Sequence, residues 1–349
     1  MRPDPAAARS DLDLAALTRH LERGGFPLCG PLSAELITTG RSNLTYLLAD
    51  DRARWILRRP PLGHVLATAH DMRREHVVLS ALAGTAVPVP RALHFCPEPD
   101  IIGAPFLIMD YVPGPVLSGP EPARALSPRQ AADCSAALAD ALTDLHQLDP
   151  AAVGLEGLGK GAGFMHRQIR RWRQQWLDSA PGPAPDLDRL AALLADSVPA
   201  RSRTTIVHGD YRLGNVILDA ADPGRIGAII DWEMATLGDP LADLGLLLAY
   251  WDPASSLVTA GGYLIDANPG FLTAGELTSR YLQRSGADAG DLPFYRAFGF
   301  FKLAVIAQTI VARHRQGAAV GERLAEVAEA VSELTSAGLR VAGEAQLRA

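Results

Sequence analysis

Leucines at positions 12, 14, 17 and 21 recur at the spacing of one helical face and stop at Gly24-Gly25. That pattern predicts an amphipathic helix over residues 12–23. The period then changes. Three short apolar runs follow, Leu36–Thr39, Leu44–Leu48 and Trp55–Arg58, broken at Gly40-Arg41-Ser42-Asn43 and at Asp50-Asp51. Both breaks have turn chemistry, so the stretch predicts consecutive antiparallel strands. "AHDMRREHVVLSALAG" returns to helical spacing and closes on Gly84, and "PFLIMDYVPG" predicts one more strand ending at Pro113-Gly114. The first part of the chain is therefore expected to be a small antiparallel sheet with one inserted helix, an α+β lobe.

Beyond Gly114 the texture becomes helical. Residues 128–148 are rich in alanine and leucine, and residues 164–178 carry a helical pattern dense in arginine. "PGPAPD" at 181–186 reads as a loop. "IVHGDYRLGNVILD" then leads a polar loop into a strand, Asp222-Pro223-Gly224 turns the chain, and "RIGAIID" forms the return strand ending at Asp231. Helices are expected from there on, including "YRAFGFFKLAVIAQTIVARHRQG". The whole predicts an α+β, two-lobed architecture: an N-terminal lobe over 1–108, a hinge at 109–115 and a larger, mainly helical C-terminal lobe over 116–349.

Composition narrows the function. The 349 residues are 48% hydrophobic, enough for a sizeable core, and the net charge of −6 disfavours a nucleic-acid partner. Cys29, Cys96 and Cys134 lie far apart, too few for a disulfide framework and wrongly spaced for zinc. They are expected to be reduced thiols in a cytoplasmic protein. The N-terminus lacks the apolar segment of a signal peptide, and no uninterrupted apolar run reaches the length of a membrane span, so no membrane partner is expected.

The candidate chemistry starts at His208-Gly209-Asp210. Asn215 follows Asp210 by five residues, at the mouth of the strand "NVIL". A hairpin brings its outer ends together, so Asn215 and Asp231 are expected to lie close. One carboxylate and one amide oxygen make a weak, oxygen-only site. That suits Mg²⁺, which keeps waters and takes its remaining ligands from substrate phosphates. Asp210 lies outside that pair and is free to take a proton from a substrate hydroxyl. Asp, then Asn, then a later Asp that holds metal is the order of the phosphoryl-transfer template.

That template also needs a cation on the third strand paired with a glutamate on the following helix. In "WILRRPP", alternation puts Ile56 and Arg58 on one face and Trp55, Leu57 and Arg59 on the other. On the next helix Met72, Glu75, Val78, Leu79 and Leu82 share a face, so Glu75 is a charge on an apolar stripe. A buried carboxylate needs a partner, and Arg58 is the natural one. "TTGRSNLTY" would cover the phosphates: the backbone N–H groups around Gly40, Arg41, Ser42 and Asn43 can approach phosphate oxygens, with the side chains of Ser42 and Asn43 as added donors.

With these residues assembled, the chain resembles the aminoglycoside phosphotransferase family, which has the protein-kinase-like fold. "VHGDYRLGN" is similar to that family's signature loop and "IIDWEMATLGDPLADLG" to its metal-binding segment. "TTGRSNLTYLL", "WILRRPP" and "FGFFKLAVIAQTIVARHRQG" resemble a branch found as kinase-like domains attached to acyl-CoA dehydrogenases. The resemblance implies transfer of the γ-phosphoryl group of ATP or GTP to a hydroxyl of a small molecule. Asp210 would be the base, Asn215 and Asp231 would hold Mg²⁺, and Arg58, oriented by Glu75, would hold the α/β-phosphates. Ile56 would line the adenine pocket, and the backbone of Asp110 and Val112 would read the adenine edge. His208 and Asp243 match positions that brace the catalytic loop. Arg58 departs from the family's usual lysine; it remains cationic but grips as a fork rather than a point charge.

Residues 151–205 hold eight basic and five acidic side chains in a chain that is acidic overall. A pocket for a polycationic aminoglycoside should be acidic, so this surplus points to an anionic or neutral acceptor, with a hydroxyacyl-CoA-like molecule ahead of an antibiotic. Trp172 and Trp176, four residues apart on the arginine-rich helix, are either core or the wall of an acyl site. The rival readings are a macrolide or aminoglycoside kinase, a nucleotide-holding pseudokinase, and an α+β domain whose polar loops only cap and turn. Intact Asp210, Asn215 and Asp231 argue against the pseudokinase, and Glu75 on its apolar stripe argues against the last.

Overall fold

The computed structural model describes residues 12–37, 43–61, 71–179, 182–256, 264–315 and 324–347. Gly40, Arg41 and Ser42 lie outside them, as do Thr38 and Thr39 of the first expected strand. By its contacts the chain divides into two compact units, Met1–Pro113 with Ile230–Glu233, and Gly114–Ile229 with Met234–Ala349.

The smaller unit opens with α1 (Leu14–Arg23), N-capped by the Asp13 carboxylate, which accepts the Ala16 N–H at 2.8 Å. The strands β1 (Ser33–Ile37), β2 (Leu44–Ala49) and β3 (Arg54–Arg59) are followed by α2 (Met72–Leu82), then β4 (Ala92–Cys96) and β5 (Phe106–Asp110). They form a five-stranded sheet in the order β1-β2-β3-β5-β4, antiparallel throughout. One face is the core: Tyr46, Leu48, Trp55, Leu57, Phe106 and Ile108 pack with Leu17 and Leu21 of α1. Ile56 and Arg58 point to the other face, on which α2 packs. The helical period holds in α1 and α2, which bury one stripe each, whereas β5 is buried on both faces from Phe106 to Met109. Strand β4 escapes sequence reading. "ALHFC" is half-buried along most of its length, its pairing shifts register between Ala92 and His94, and Pro88 and Pro90 precede it.

The larger unit carries α3 (Pro120–Arg124), α4 (Pro128–Gln147), α5 (Phe164–Ser179) and α6 (Pro185–Asp196). Two small two-stranded sheets follow. One pairs β6 (Thr205–Val207) with β9 (Thr236–Gly238); the other pairs β7 (Val216–Leu218) with β8 (Ile226–Ile229). The chain ends in α7 (Pro240–Tyr250), α8 (Ala274–Ser285), α9 (Leu292–Arg315) and α10 (Leu324–Glu344). The capping box of Ser127 and Gln130 starts α4 where the alanine-rich pattern begins. Several boundaries shift by one to three residues, as where the strand expected from Leu36 starts at Ser33, and two further differences have a local cause. The loop expected at 181–186 ends at Pro185, which is the first residue of α6, a position where proline's missing N–H is harmless. The strand expected to reach Asp231 stops at Ile229, because Asp231 takes a left-handed φ of 68° that no strand accommodates.

Helix α7 is buried from Pro240 to Ala249, and it lies against α9. The stretch Leu292–Ala312 of α9 is long and apolar enough to cross a membrane, but 78% of that window is buried inside the unit, as in a core helix. The two helices touch backbone to backbone at glycines. A Cβ on Gly245 would strike the Tyr295 backbone, and a Cβ on Gly299 would sit 2.8 Å from the Gly245 carbonyl oxygen. Gly299 inside a helix costs about 1 kcal/mol relative to alanine, which the close approach offsets. Gly245→Ala is therefore expected to overpack this crossing by about 1–3 kcal/mol and lower the melting temperature by roughly 3–10 °C, measured by circular dichroism. An unchanged melting temperature would contradict the backbone contact.

Candidate functional site

The loop after β6 begins with His208-Gly209-Asp210. Gly209 has φ 84°, and a Cβ there would lie 2.7 Å from the Met234 carbonyl oxygen, so both conformation and space require glycine. The loop is fixed from beneath by Asp243, in the first turn of α7 and 1% exposed. Asp243 Oδ2 accepts the His208 N–H at 2.6 Å, Oδ1 accepts the Gly209 N–H at 2.8 Å, and His146 Nε2 lies 3.3 Å from Oδ2. Burial pushes the Asp243 carboxyl up, but His146, His208 and the Gly209 N–H outweigh it and hold the group below the usual carboxylate range. Tyr211, fully buried, donates its hydroxyl to the Leu138 carbonyl of α4 at 2.8 Å and ties down the other side of the loop. Burial, then the Asp243 charge, pushes its phenol well above the ordinary value.

Asp210 stands on this braced loop with its side chain 20% exposed. Oδ1 accepts the Tyr250 hydroxyl at 3.2 Å, and Oδ2 accepts the Asn215 amide Nδ2 at 2.9 Å. Nδ2 also donates to the Asp210 carbonyl at 2.8 Å. The Asn215 NH₂ is thus turned inward, which aims its Oδ1 the other way. Arg212 lies over the Tyr250 ring, 5.2 Å from its centroid, with Nε 3.6 Å from Asp210 Oδ2. A short 3₁₀ turn, Leu213–Asn215, delivers Asn215 to the start of β7.

The smaller unit holds the second constellation. Arg58 Nη1 donates to Glu75 Oε1, and Nη2 pairs with Asp231 Oδ1 at 2.8 Å. The stripe predicted for α2 is the stripe found: Met72, Glu75, Val78, Leu79 and Leu82 are its buried residues. Burial works against the Arg58 charge, but Glu75, Asp231 and Glu233 together raise its pKa above the ordinary value. For Glu75, burial pushes the carboxyl up against the pull of Arg58. The fork therefore bridges two carboxylates through two nitrogens, a geometry a lysine ammonium does not reproduce. Asp231 belongs with this unit and Asn215 with the larger one, each placed as described.

The remaining expected residues divide. Ile56 lies half-buried on the Arg58 face of β3. Asp110 ends β5, with its N–H committed to the Arg91 carbonyl at 3.0 Å and its carboxylate to Arg91 Nε at 2.7 Å, and Val112 follows it half-buried. The Asn43 side chain, expected as an added donor, is already engaged within the unit. It is 3% exposed, and its Nδ2 donates to Glu233 Oε2 at 2.6 Å, because a buried amide takes the nearest carboxylate. On α5, Arg170, Arg171 and Arg173 are exposed while Trp172 and Trp176 are buried, so the arginines form a solvated face and the tryptophans belong to the core. Sequence reading missed Tyr250, Arg212, His146 and Lys302. Arg212 stood inside the quoted loop motif. Tyr250 and Lys302 sit on apolar helices, where helical spacing signals packing and nothing more.

A braced Asp–Asn loop in a mainly helical unit, and a cation–glutamate pair on a small antiparallel sheet, define the protein-kinase-like class. The chain belongs to the phosphotransferase enzyme family, whose sequence profile matches residues 33–277. It is 34% identical over 328 residues to acyl-CoA dehydrogenase family member 10 of Mus musculus, covering 89% of this chain and 30% of that protein. To family member 11 of Homo sapiens it is 31% identical over 336 residues, 94% of this chain and 42% of that one. The chain thus spans less than half the length of these relatives. A Ralstonia eutropha JMP134 protein solved at 2.32 Å and described as a candidate aminoglycoside phosphotransferase is 31% identical, with a TM-score of 0.80 over 96% of this chain and 99% of that one. An aminoglycoside phosphotransferase in ternary complex with ADP and hygromycin B shares the fold, at 15% identity and a TM-score of 0.61 over 93% of this chain and 97% of that one.

The Asp243 clamp has a pH signature. Its folded pKa lies below the ordinary aspartate value, so the stability it confers is complete above about pH 4 and is lost as pH falls through the folded value. Asp243→Asn, which leaves the two loop N–H groups facing an amide, is expected to cost about 2–4 kcal/mol near neutral pH. Differential scanning fluorimetry of both proteins should show the gap in melting temperature narrowing below about pH 4. A gap that widened on acidification would contradict the assigned ionisation.

Proposed function

We propose that the chain is a Mg²⁺-dependent phosphotransferase that moves the γ-phosphoryl group of ATP or GTP to a hydroxyl of a small anionic or neutral molecule, a hydroxyacyl-CoA-like acceptor ahead of an aminoglycoside. The observation that carries the reading is the Asp210 carboxylate. Both its oxygens are oriented, by Tyr250 and by Asn215, on a loop with two N–H groups fixed by Asp243, yet the side chain stays partly open to a substrate. A general base needs that combination of fixed geometry and access.

In this reading the acceptor O–H bond breaks as its proton passes to Asp210, the acceptor oxygen takes the γ-phosphoryl group, and the nucleoside diphosphate leaves. Arg58 binds the α/β-phosphates with its orientation held by Glu75; Ile56 lines the adenine pocket, and the backbone of Asp110 and Val112 reads the adenine edge. The donor chemistry at Asn215 and Asp231 fits Mg²⁺. The Asn215 Nδ2 is taken up by its two bonds, which leaves Oδ1 as the amide atom that can ligate, and the Asp231 side chain is 28% exposed. Mg²⁺ held by so few protein oxygens would take its remaining ligands from the nucleotide phosphates and water. When bound, Mg²⁺ would neutralise charge on the phosphates.

The acceptor class rests on charge. The bases of α5 are solvated, and so they act through their field on approaching substrates, attracting phosphates and repelling polyamines. The description of the Ralstonia eutropha protein favours the antibiotic reading. Steady-state assays with kanamycin-like amines and with hydroxyacyl thioesters separate the two, and efficient turnover of the amines alone would reverse the ranking.

Asp210→Asn is expected to leave Mg·nucleotide binding largely intact and to lower turnover by about 10²-fold or more. Asp231→Ala should instead weaken Mg·nucleotide binding, read by calorimetry. Normal phosphoryl transfer in both variants would refute the assigned roles.

A further inference from the structure

Lys302, on α9, is 5% exposed, and no carboxylate lies within ion-pair distance of it among the described residues. An ammonium so buried is costly relative to an apolar side chain of the same length. What it does there, and a methionine could not, is donate a hydrogen bond. Nζ donates to the Gly209 carbonyl oxygen and sits 5.1 Å from the centroid of the Trp172 ring. Burial pushes its pKa down, while the charges of Asp210 and Asp243 favour the protonated form.

The Gly209 carbonyl belongs to the peptide unit whose nitrogen is that of Asp210. The N–H of the same unit donates to His208 Nδ1 at 3.2 Å. The preceding N–H, that of Gly209, goes to Asp243. One peptide plane is thus gripped at both ends, by Lys302 on the oxygen and His208 on the hydrogen, and the Asp210 side chain projects from its edge. Gly209, at φ 84°, has no side chain to restrict how that plane turns.

We propose that Lys302 is a positioning residue for phosphoryl transfer: by holding the Gly209 carbonyl it fixes the orientation from which Asp210 meets the acceptor. This rests on the reading of Asp210 as the base. Misplacing a catalytic group by about 1 Å can cost on the order of 10²-fold in rate, so the hydrogen bond has a kinetic signature distinct from its stability.

The test is a double-mutant cycle on the full chain, read as Mg·ATP hydrolysis with water as acceptor, with Mg·ATP affinity and melting temperature measured on each variant. Lys302→Met is expected to keep its melting temperature and to bind Mg·ATP within about threefold of the wild type, while hydrolysis falls by about 10- to 100-fold. In the Asp210→Asn background the same change is expected to cost less than about threefold, because the positioned group is gone. Lys302→Gln, which keeps a neutral donor, is expected to recover part of the loss, and the cycle runs with it if the Met variant does not fold. Hydrolysis within threefold of wild type in Lys302→Met, or an equal loss in both backgrounds, would overturn the proposal while leaving Asp210 as the base. A wild-type rate in Asp210→Asn would overturn the underlying reading and this inference with it.

Discussion

A single buried carboxylate organises the larger unit. Asp243 takes two consecutive backbone N–H groups of the 208–210 loop and a histidine from α4, all in the interior, where each bond is strengthened by the low dielectric and none can be exchanged for water. The helix that carries it has little freedom: α7 is buried on all sides and meets α9 through glycines. The position of the loop is therefore set by the packing of two core helices, and the orientation of Asp210 is inherited from it. Tyr250 at the end of α7 and Lys302 on α9 reach the same loop from the same two helices. Core and site are one object here, and a packing error at Gly245 would be felt at Asp210.

In the smaller unit the corresponding constraint is the Arg58 guanidinium. It stands on the sheet face that α1 does not cover, and both of its terminal nitrogens are committed, to Glu75 and to Asp231. Of the two carboxylates around this cation, Glu75 is closed to water and Asp231 is partly open to it. The left-handed φ of Asp231 is unusual for a residue other than glycine and is held by these surroundings. Glu233 adds negative charge and takes the Asn43 amide.

What was legible in the sequence follows from these constraints. Glu75 could be found because helical periodicity places it among apolar neighbours, and a carboxylate there must have a partner; strand parity then selected Arg58 over Arg59. Asp210 and Asn215 could be found because their spacing sits at a strand mouth next to a glycine turn. The residues that orient them could not. Tyr250 and Lys302 lie some 40 and 90 residues away along the chain on apolar helices, and only tertiary packing turns them toward the loop. The partner of Asn43 was illegible for a similar reason: the carboxylate that its amide meets lies 190 positions along the chain. Local elements failed where their own chemistry was ambiguous, as with β4 after its prolines and the proline that opens α6.

Under the proposed function, nucleotide recognition would depend on oxygen ligands that bind Mg²⁺ weakly unless phosphates complete its shell. Isothermal titration calorimetry with non-hydrolysable ATP and GTP analogues, run with and without Mg²⁺, tests this most directly. One-to-one binding of at least one analogue, tightened at least tenfold by Mg²⁺, is the predicted result. Absence of binding by either analogue at millimolar concentration with Mg²⁺ present would contradict it.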